Sequence, residues 1–240
     1  MIGNFIFFLK IVRVFKQYNI LILIEKNIRF KFLFRIFTFL LAPFTFVQAK
    51  GQDSEGIRIS SALNELGPSF IKLGQLISTR PDIIGNEIAE DMAMLRDNLP
   101  PGSKNEAIEI IEDQFGRKID DIYMNFSEPI AAASIAQVHF AEINDNGRAI
   151  PVAVKILRPK IIETIDEEMN RLDWLTGFLE NFSELKRLQL NSVIKKAKEI
   201  IRFELDLRYE AAAASELKEN TKNDHSFYVP KIYWENVTKK

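Results

Sequence analysis

The stretch "AAASIAQVH" (131–139), with "PVAVKIL" (151–157) a few residues on, decides how this chain is read. A small-residue segment ahead of one strand, with a lysine on the next, is the layout of many nucleotide pockets. Backbone N–H groups there meet phosphate, and a fixed cation completes the contact. Such segments are normally rich in glycine, yet this one has three consecutive alanines and no glycine. Alanine gives up easy access to positive φ and adds methyl groups. The turn should be stiffer and closer-fitting than a glycine loop, with its backbone N–H groups still able to bind.

Working outward, Ser134–Ile143 and Ala149–Leu157 read as two strands joined by "NDNGR", whose Asn146-Gly147 favours a tight hairpin turn. A helix is expected over Arg158–Phe182 with Pro159 in its first turn, and a longer one over Ser192–Lys218. The segment Phe227–Thr238 reads as a further strand. Upstream, apolar residues at Leu63, Leu66, Phe70, Leu73, Leu76 and Ile77 predict a helix from near Ile57, kinked or restarted at Pro68. A second helix is expected over Asn86–Arg96. "NLPPGS" is a breaker, and Ser103 with Glu106 makes a capping-box start for a helix ending near Gly116. The fold class is therefore α+β. It divides into a basic leader (1–50), a helical region (51–125) and a sheet-bearing lobe (126–240).

The chain has no cysteine, which excludes disulfides and thiolate metal sites and fits a reducing compartment. With histidine only at 139 and 225, no metal site is expected. The net charge of −1 conceals an asymmetry: the first fifty residues carry eight Lys/Arg against one acid, Glu25, and eleven of the nineteen phenylalanines. Their uncharged apolar runs fall short of the ~20 residues a spanning helix needs. Apolar and basic residues interleave instead, as in "FFLKIVRVFK", which suits a helix lying on a membrane surface with lysines on anionic headgroups. The competing reading is a helix packed on the rest of the protein with its basic residues in water. A nucleic-acid partner is not expected, since the basic residues alternate with bulky aliphatics rather than forming a polar stripe.

Three further groups bear on chemistry. Lys155 could simply end in solvent, as in ordinary strands; in a kinase-like small lobe a helix glutamate holds the strand lysine, and "FELDLRYEAAAA" offers candidates. Asp206 and Glu210 are four apart and are expected to share one helix face, with Glu204 rotated away. Either Glu210 or Glu204 could serve, although such acids are commonly a solvated helix surface. In "PSFIKLGQLISTRPDII", Lys72 and Gln75 lie three apart on one face, and Gly74 permits close approach of another backbone. No general chemistry demands that spacing.

Taken in order, "KLGQ", "AAASIAQVH", "VAVK" and "ELDLRYEAA" resemble the UbiB family of atypical protein-kinase-like ATPases, the ADCK group in eukaryotes, over about Ser54–Thr238. The resemblance implies a helical region carrying a KxGQ motif, followed by a protein-kinase-like small lobe with an αC-like helix. Lys72 and Gln75 match the KxGQ helix, which in that family lies over the pocket where a kinase would admit a peptide. Ala131, Ala132, Ala133, Ser134, Ile135, Ala136, Gln137 and Val138 match the alanine-rich loop over ATP. Lys155 matches the strand lysine, and Glu210 the glutamate paired with it. Glu204 and Asp206 match an ExD motif. The implied role is ubiquinone biosynthesis at the cytoplasmic, peripheral face of the cell membrane. Implied partners are lipid intermediates or biosynthetic enzymes.

The sequence departs from that pattern after the small lobe. Only 85 residues follow Lys155, with no His-x-Asp loop and no Asp-Phe-Gly. The large lobe is therefore expected to be missing, or separately encoded, and magnesium is expected only with it. The chain alone is not expected to be a competent ATPase. The rival reading is a non-catalytic membrane-surface scaffold, and an ordinary protein-kinase lobe is disfavoured by the missing glycines.

Overall fold

A computed structural model describes residues 2–27, 38–39, 41–45, 47, 53–93 and 100–240. Its helices of eight residues or more begin with α1 (Ile2–Gln17), α2 (Ile20–Asn27), α3 (Glu55–Leu66), α4 (Pro68–Ser78), α5 (Asn86–Ala93) and α6 (Lys104–Phe115). The strands β1 (Pro129–Ala132), β2 (Ala136–Asp145) and β3 (Arg148–Leu157) follow, then α7 (Ile161–Leu179), α8 (Leu190–Glu204) and α9 (Leu207–Asn220). The architecture is α+β, as expected. The chain forms two compact units, residues 1–97 with 165–197, and residues 98–164 with 198–240.

The first unit is helical. Pro68 cannot continue α3, because it lacks an N–H and clashes with the carbonyl one turn back. Gly67 breaks the helix at φ 124°, and Pro68 then opens α4, so the expected kink or restart is a restart. Glu168 of α7 accepts a hydrogen bond from the Ser69 N–H at 3.3 Å, capping the start of α4. Leu66, Ile71, Met92, Ile165 and Met169 are among the unit's buried residues. Helix α1 buries Phe7, Ile11, Val12 and Val14, with the Phe7 ring 5.9 Å from that of Phe70. Lys10 donates to the Leu66 carbonyl at 2.9 Å, a use of one leader lysine that the membrane reading did not foresee. The opposite side of α1 leaves Ile2, Phe5 and Ile6 exposed. Helix α5 accounts for Asn86–Ala93 of the expected Asn86–Arg96, and residues 94–96 lie outside the described residues, as does much of the leader beyond α2.

The second unit is built on a three-stranded antiparallel sheet, order β1-β2-β3. Asn146 and Gly147 both adopt positive φ, 54° and 84°, so a two-residue turn joins β2 to β3 as the sequence predicts. Helix α6 carries the full capping box: Ser103 Oγ accepts from the Glu106 N–H, and the Glu106 carboxylate accepts from the Ser103 N–H. Its Ala107 and Ile111 pack with Tyr123, Phe126, Ala141, Ile143, Val154 and Ile156.

Four expectations need correction. Ala131 and Ala132 belong to a strand, β1, so the turn proper is only Ala133–Ile135. Helix α7 begins at Ile161, after Lys160 at φ 56°, so Pro159 precedes the helix. The expected helix over 192–218 is two. Asp206 sits between α8 and α9 at φ −122°, ψ 97°, and accepts from the Arg208 N–H as N-cap of α9. Aspartate is among the strongest N-cap residues, and in that role Asp206 does not share a helix face with Glu210. Phe227–Thr238 is not a strand; it contains one 3-10 turn, Trp234–Asn236, and Pro230 has no N–H to give to a ladder. Among the described residues no helix is long and apolar enough to cross a membrane.

Candidate nucleotide site

The pleat decides which side chains share a face. Directly opposed residues on neighbouring antiparallel strands point to the same side. Ala131 pairs with Val138, and Val138 with Lys155, so the three form one row across the sheet. The next row is Phe140 with Ala153. These residues lie opposite the packed face, which holds Ala141, Ile143, Val154 and Ile156. Phe140 is 58% exposed, and Ala153 and Lys155 are exposed beside it.

Lys155 is held from outside the sheet. Its Nζ lies 2.6 Å from Glu210 Oε1 and 2.5 Å from Oε2. Strand β3 fixes the lysine, while α9, started by Asp206, brings Glu210 to it within its first turn. The side chains are 41% and 59% exposed. At that exposure an ion pair contributes under ~1 kcal/mol to stability, so its consequence is orientation: a carboxylate that engages one ammonium with both oxygens fixes where the amine sits.

The alanine turn is closed by the Ala133 N–H donating to the Ala136 carbonyl at 2.8 Å. Ala131 is exposed and Ala132, Ala133 and Val138 half-buried, whereas the side chains of Ser134, Ile135, Ala136 and Gln137 are buried. Ser134 Oγ has no hydrogen-bond partner among the described residues. Gln137 and His139, both 0% exposed, belong to a polar chain inside the unit. Gln137 Oε1 accepts from the Gly102 N–H at 2.8 Å, and its Nε2 lies 3.0 Å from His139 Nε2. With that oxygen committed, the amide nitrogen can only donate, so His139 Nε2 accepts. Its Nδ1 then carries the proton and donates to the Ser127 carbonyl at 2.9 Å. The ring stacks on Phe126 at 4.5 Å.

The remaining candidates are placed as follows. Lys72 and Gln75 lie one turn apart on α4, both half-buried, in the first unit, with Gly74 buried between them. Glu204 is the last residue of α8, exposed, in the second unit. Asp206 is buried and bonded to Arg208 through both oxygens, at 2.9 and 2.7 Å, and the guanidinium holds its carboxyl below the usual range. Thus the structure brings Lys155 and Glu210 together and assigns Asp206 to capping α9. Sequence reasoning missed the exposed sheet strip of Phe140 and Ala153 and the inward role of Gln137 and His139. Alternation was the available signal: Gln137, His139, Ala141 and Ile143 are spaced two apart, so they share the buried face.

Comparison with known proteins identifies the family. Residues 94–240, more than half the chain, match the ABC1 atypical kinase-like domain. The probable protein kinase UbiB of Marinobacter nauticus is 41% identical over 204 residues, covering 84% of this chain and 36% of that protein. Its counterpart in Azotobacter vinelandii is 38% identical over 188 residues, covering 78% and 34%. That of Cellvibrio japonicus is 37% identical over 233 residues, covering 96% and 41%. The chain thus spans between a third and about two-fifths of the length of these curated relatives. No solved structure matches it significantly. With a lysine-bearing antiparallel sheet, a helix glutamate on that lysine and a domain match over most of its length, the chain belongs to the UbiB family of ABC1 atypical kinase-like proteins.

Proposed function

We propose that this chain supplies the small-lobe side of an ATP site in a UbiB-type atypical kinase or ATPase that supports ubiquinone biosynthesis. The observation that carries the reading is the cross-sheet row Ala131–Val138–Lys155, with its amine fixed by Glu210. The site fits the nucleotide. Ala131 and Ala153 put small side chains on the exposed sheet face beside one oriented cation, with Phe140 the large side chain there. Lys155 would meet the phosphates, the backbone of Ala131–Ala133 would run along them, and Val138 and Ala153 would offer an apolar surface to the base. Bound ATP supplies the transferable phosphoryl group, with magnesium neutralising its charge. In kinase-like proteins the magnesium ligands come from the large lobe, so catalysis is read here as a property of the assembled two-lobe protein.

A peripheral position on an anionic membrane is part of the same reading. Ile2, Phe5 and Ile6 are exposed along one side of α1, and Arg13 lies further along the helix. A non-catalytic scaffold would use that surface equally. Nucleotide binding separates the two: titrating the chain with a fluorescent ATP analogue should give saturable binding that Lys155→Ala abolishes. Equal binding by both proteins, or none by either, would leave the scaffold.

A further inference from the structure

The alanine turn is held by a residue to which the nucleotide reading gives no task, and that residue is tied in turn to the segment ahead of α6. Arg158, three residues beyond Lys155 on the same chain segment, holds both of its ends. Its backbone N–H donates to the Ile135 carbonyl at 2.9 Å, and its side-chain Nε donates to the Ala133 carbonyl at 2.8 Å. The same guanidinium reaches back through Nη1 to the Pro100 carbonyl at 2.5 Å. Two residues on, the Gly102 N–H donates to Gln137, just past the turn in β2. A Cβ at Gly102 would stand 3.0 Å from Gln137 Oε1 and 3.1 Å from Pro159 Cδ, so the approach leaves little room for a side chain. The "PPG" ahead of α6 is thus a strut as well as a helix breaker.

We propose that Arg158 and the Pro100–Gly102 strut are a positioning device that pre-shapes the alanine turn for the nucleotide's phosphates. This rests on the ATP reading above. No residue from Ala131 to Val138 has positive φ, so the turn is made from ordinary backbone and takes its shape from outside hydrogen bonds. A ligand meeting an already ordered turn does not have to immobilise it, and a preorganised site binds tighter for the same contacts. Here the outside hydrogen bonds come from Arg158. A planar guanidinium suits the task, since its fork of donors engages two separate carbonyls at once, which a lysine ammonium on a flexible stem does less well.

The test uses the full chain, amide hydrogen exchange and a non-hydrolysable ATP analogue as probe. Arg158→Gln should speed exchange across residues 133–136 and weaken analogue binding, each on the order of tenfold, as loss of a charged hydrogen bond implies. Exchange in α6 and in the hairpin Ile143–Ile150 should stay unchanged. Arg158→Lys should recover part of both effects. Gly102→Ala, which disturbs the strut from its other end, should reproduce the loosening and supplies a second variant if Arg158→Gln does not fold. Lys155→Ala should abolish binding while leaving turn exchange as in wild type. A folded Arg158→Gln protein with wild-type exchange over 133–136, or with a loosened turn and undiminished binding, overturns the proposal. If wild type binds no analogue, the ATP reading fails and takes the phosphate role with it; the exchange data then report on the brace alone, so the two failures are told apart.

Discussion

The ammonium of Lys155 touches both carboxylate oxygens of Glu210, at 2.6 and 2.5 Å, across 55 residues of sequence. Both side chains remain substantially exposed, so water screens the attraction. In a double-mutant cycle with Lys155→Ala and Glu210→Ala, the coupling read from urea unfolding should be under ~1 kcal/mol and should shrink in 1 M salt, where the screening length is ~3 Å. A coupling of about 2 kcal/mol or more, insensitive to salt, would mark a desolvated structural pair.

Ser134 makes the opposite case. Its hydroxyl is buried without a partner among the described residues, and such a group carries a desolvation penalty of ~1–3 kcal/mol. Ser134→Ala should therefore be neutral or stabilising by up to about 1 kcal/mol, with unchanged affinity for an ATP analogue because the side chain faces inward. Thermal melting checks the first part. A loss of stability would reveal a hydrogen bond to the Ser134 hydroxyl.

Much of this is legible in the sequence, and what is not legible shares a cause. Asn146-Gly147 and the Ser103/Glu106 box are local signals whose geometry neighbouring residues fix, and both appear as read. The pairing of Lys155 with Glu210 followed from resemblance and was found in the structure. What escaped were features in which a polar residue does local structural work. Asp206 looked like one more acid on a long amphipathic helix, yet it lies between two helices and caps the start of the second. Gln137 and Ser134 looked like loop residues beside a ligand, and both turn inward. Pro100–Gly102 read as punctuation, because nothing in its composition reveals that Arg158 and Gln137 lie within hydrogen-bond reach.

Gly67 tests how α4 is started. At φ 124°, ψ −175° it occupies backbone space that side chains rarely adopt, and a Cβ there would meet Glu168 Oε1 at 3.1 Å. Gly67→Ala should cost about 1–3 kcal/mol from the backbone alone. Adding Glu168→Ala removes the obstructing carboxylate and also the cap on Ser69, so it should not restore stability. Urea unfolding of the two variants checks this. Full recovery in the double variant would mean that the clash, rather than the backbone, governs the position.

Two carboxylates tie the stability of the fold to acid. The Glu106 carboxyl is held below its usual range by the Ser103 hydroxyl and N–H, and that of Asp206 chiefly by the Arg208 side chain. A depressed folded pKa means that the unfolded chain takes up the proton first. The stability each group contributes is therefore complete above the unfolded carboxylate values, ~3.9–4.3, and is lost as pH falls through the lower folded values. Asp206→Asn keeps an oxygen for the Arg208 N–H but has no charge to titrate, and Glu106→Gln does the same for the capping box. The double variant should start less stable at pH 7 and lose stability less steeply than wild type between about pH 5 and pH 2. Urea midpoints across that interval measure the slope, and identical slopes in the two proteins would show that neither carboxylate is held low by its partners.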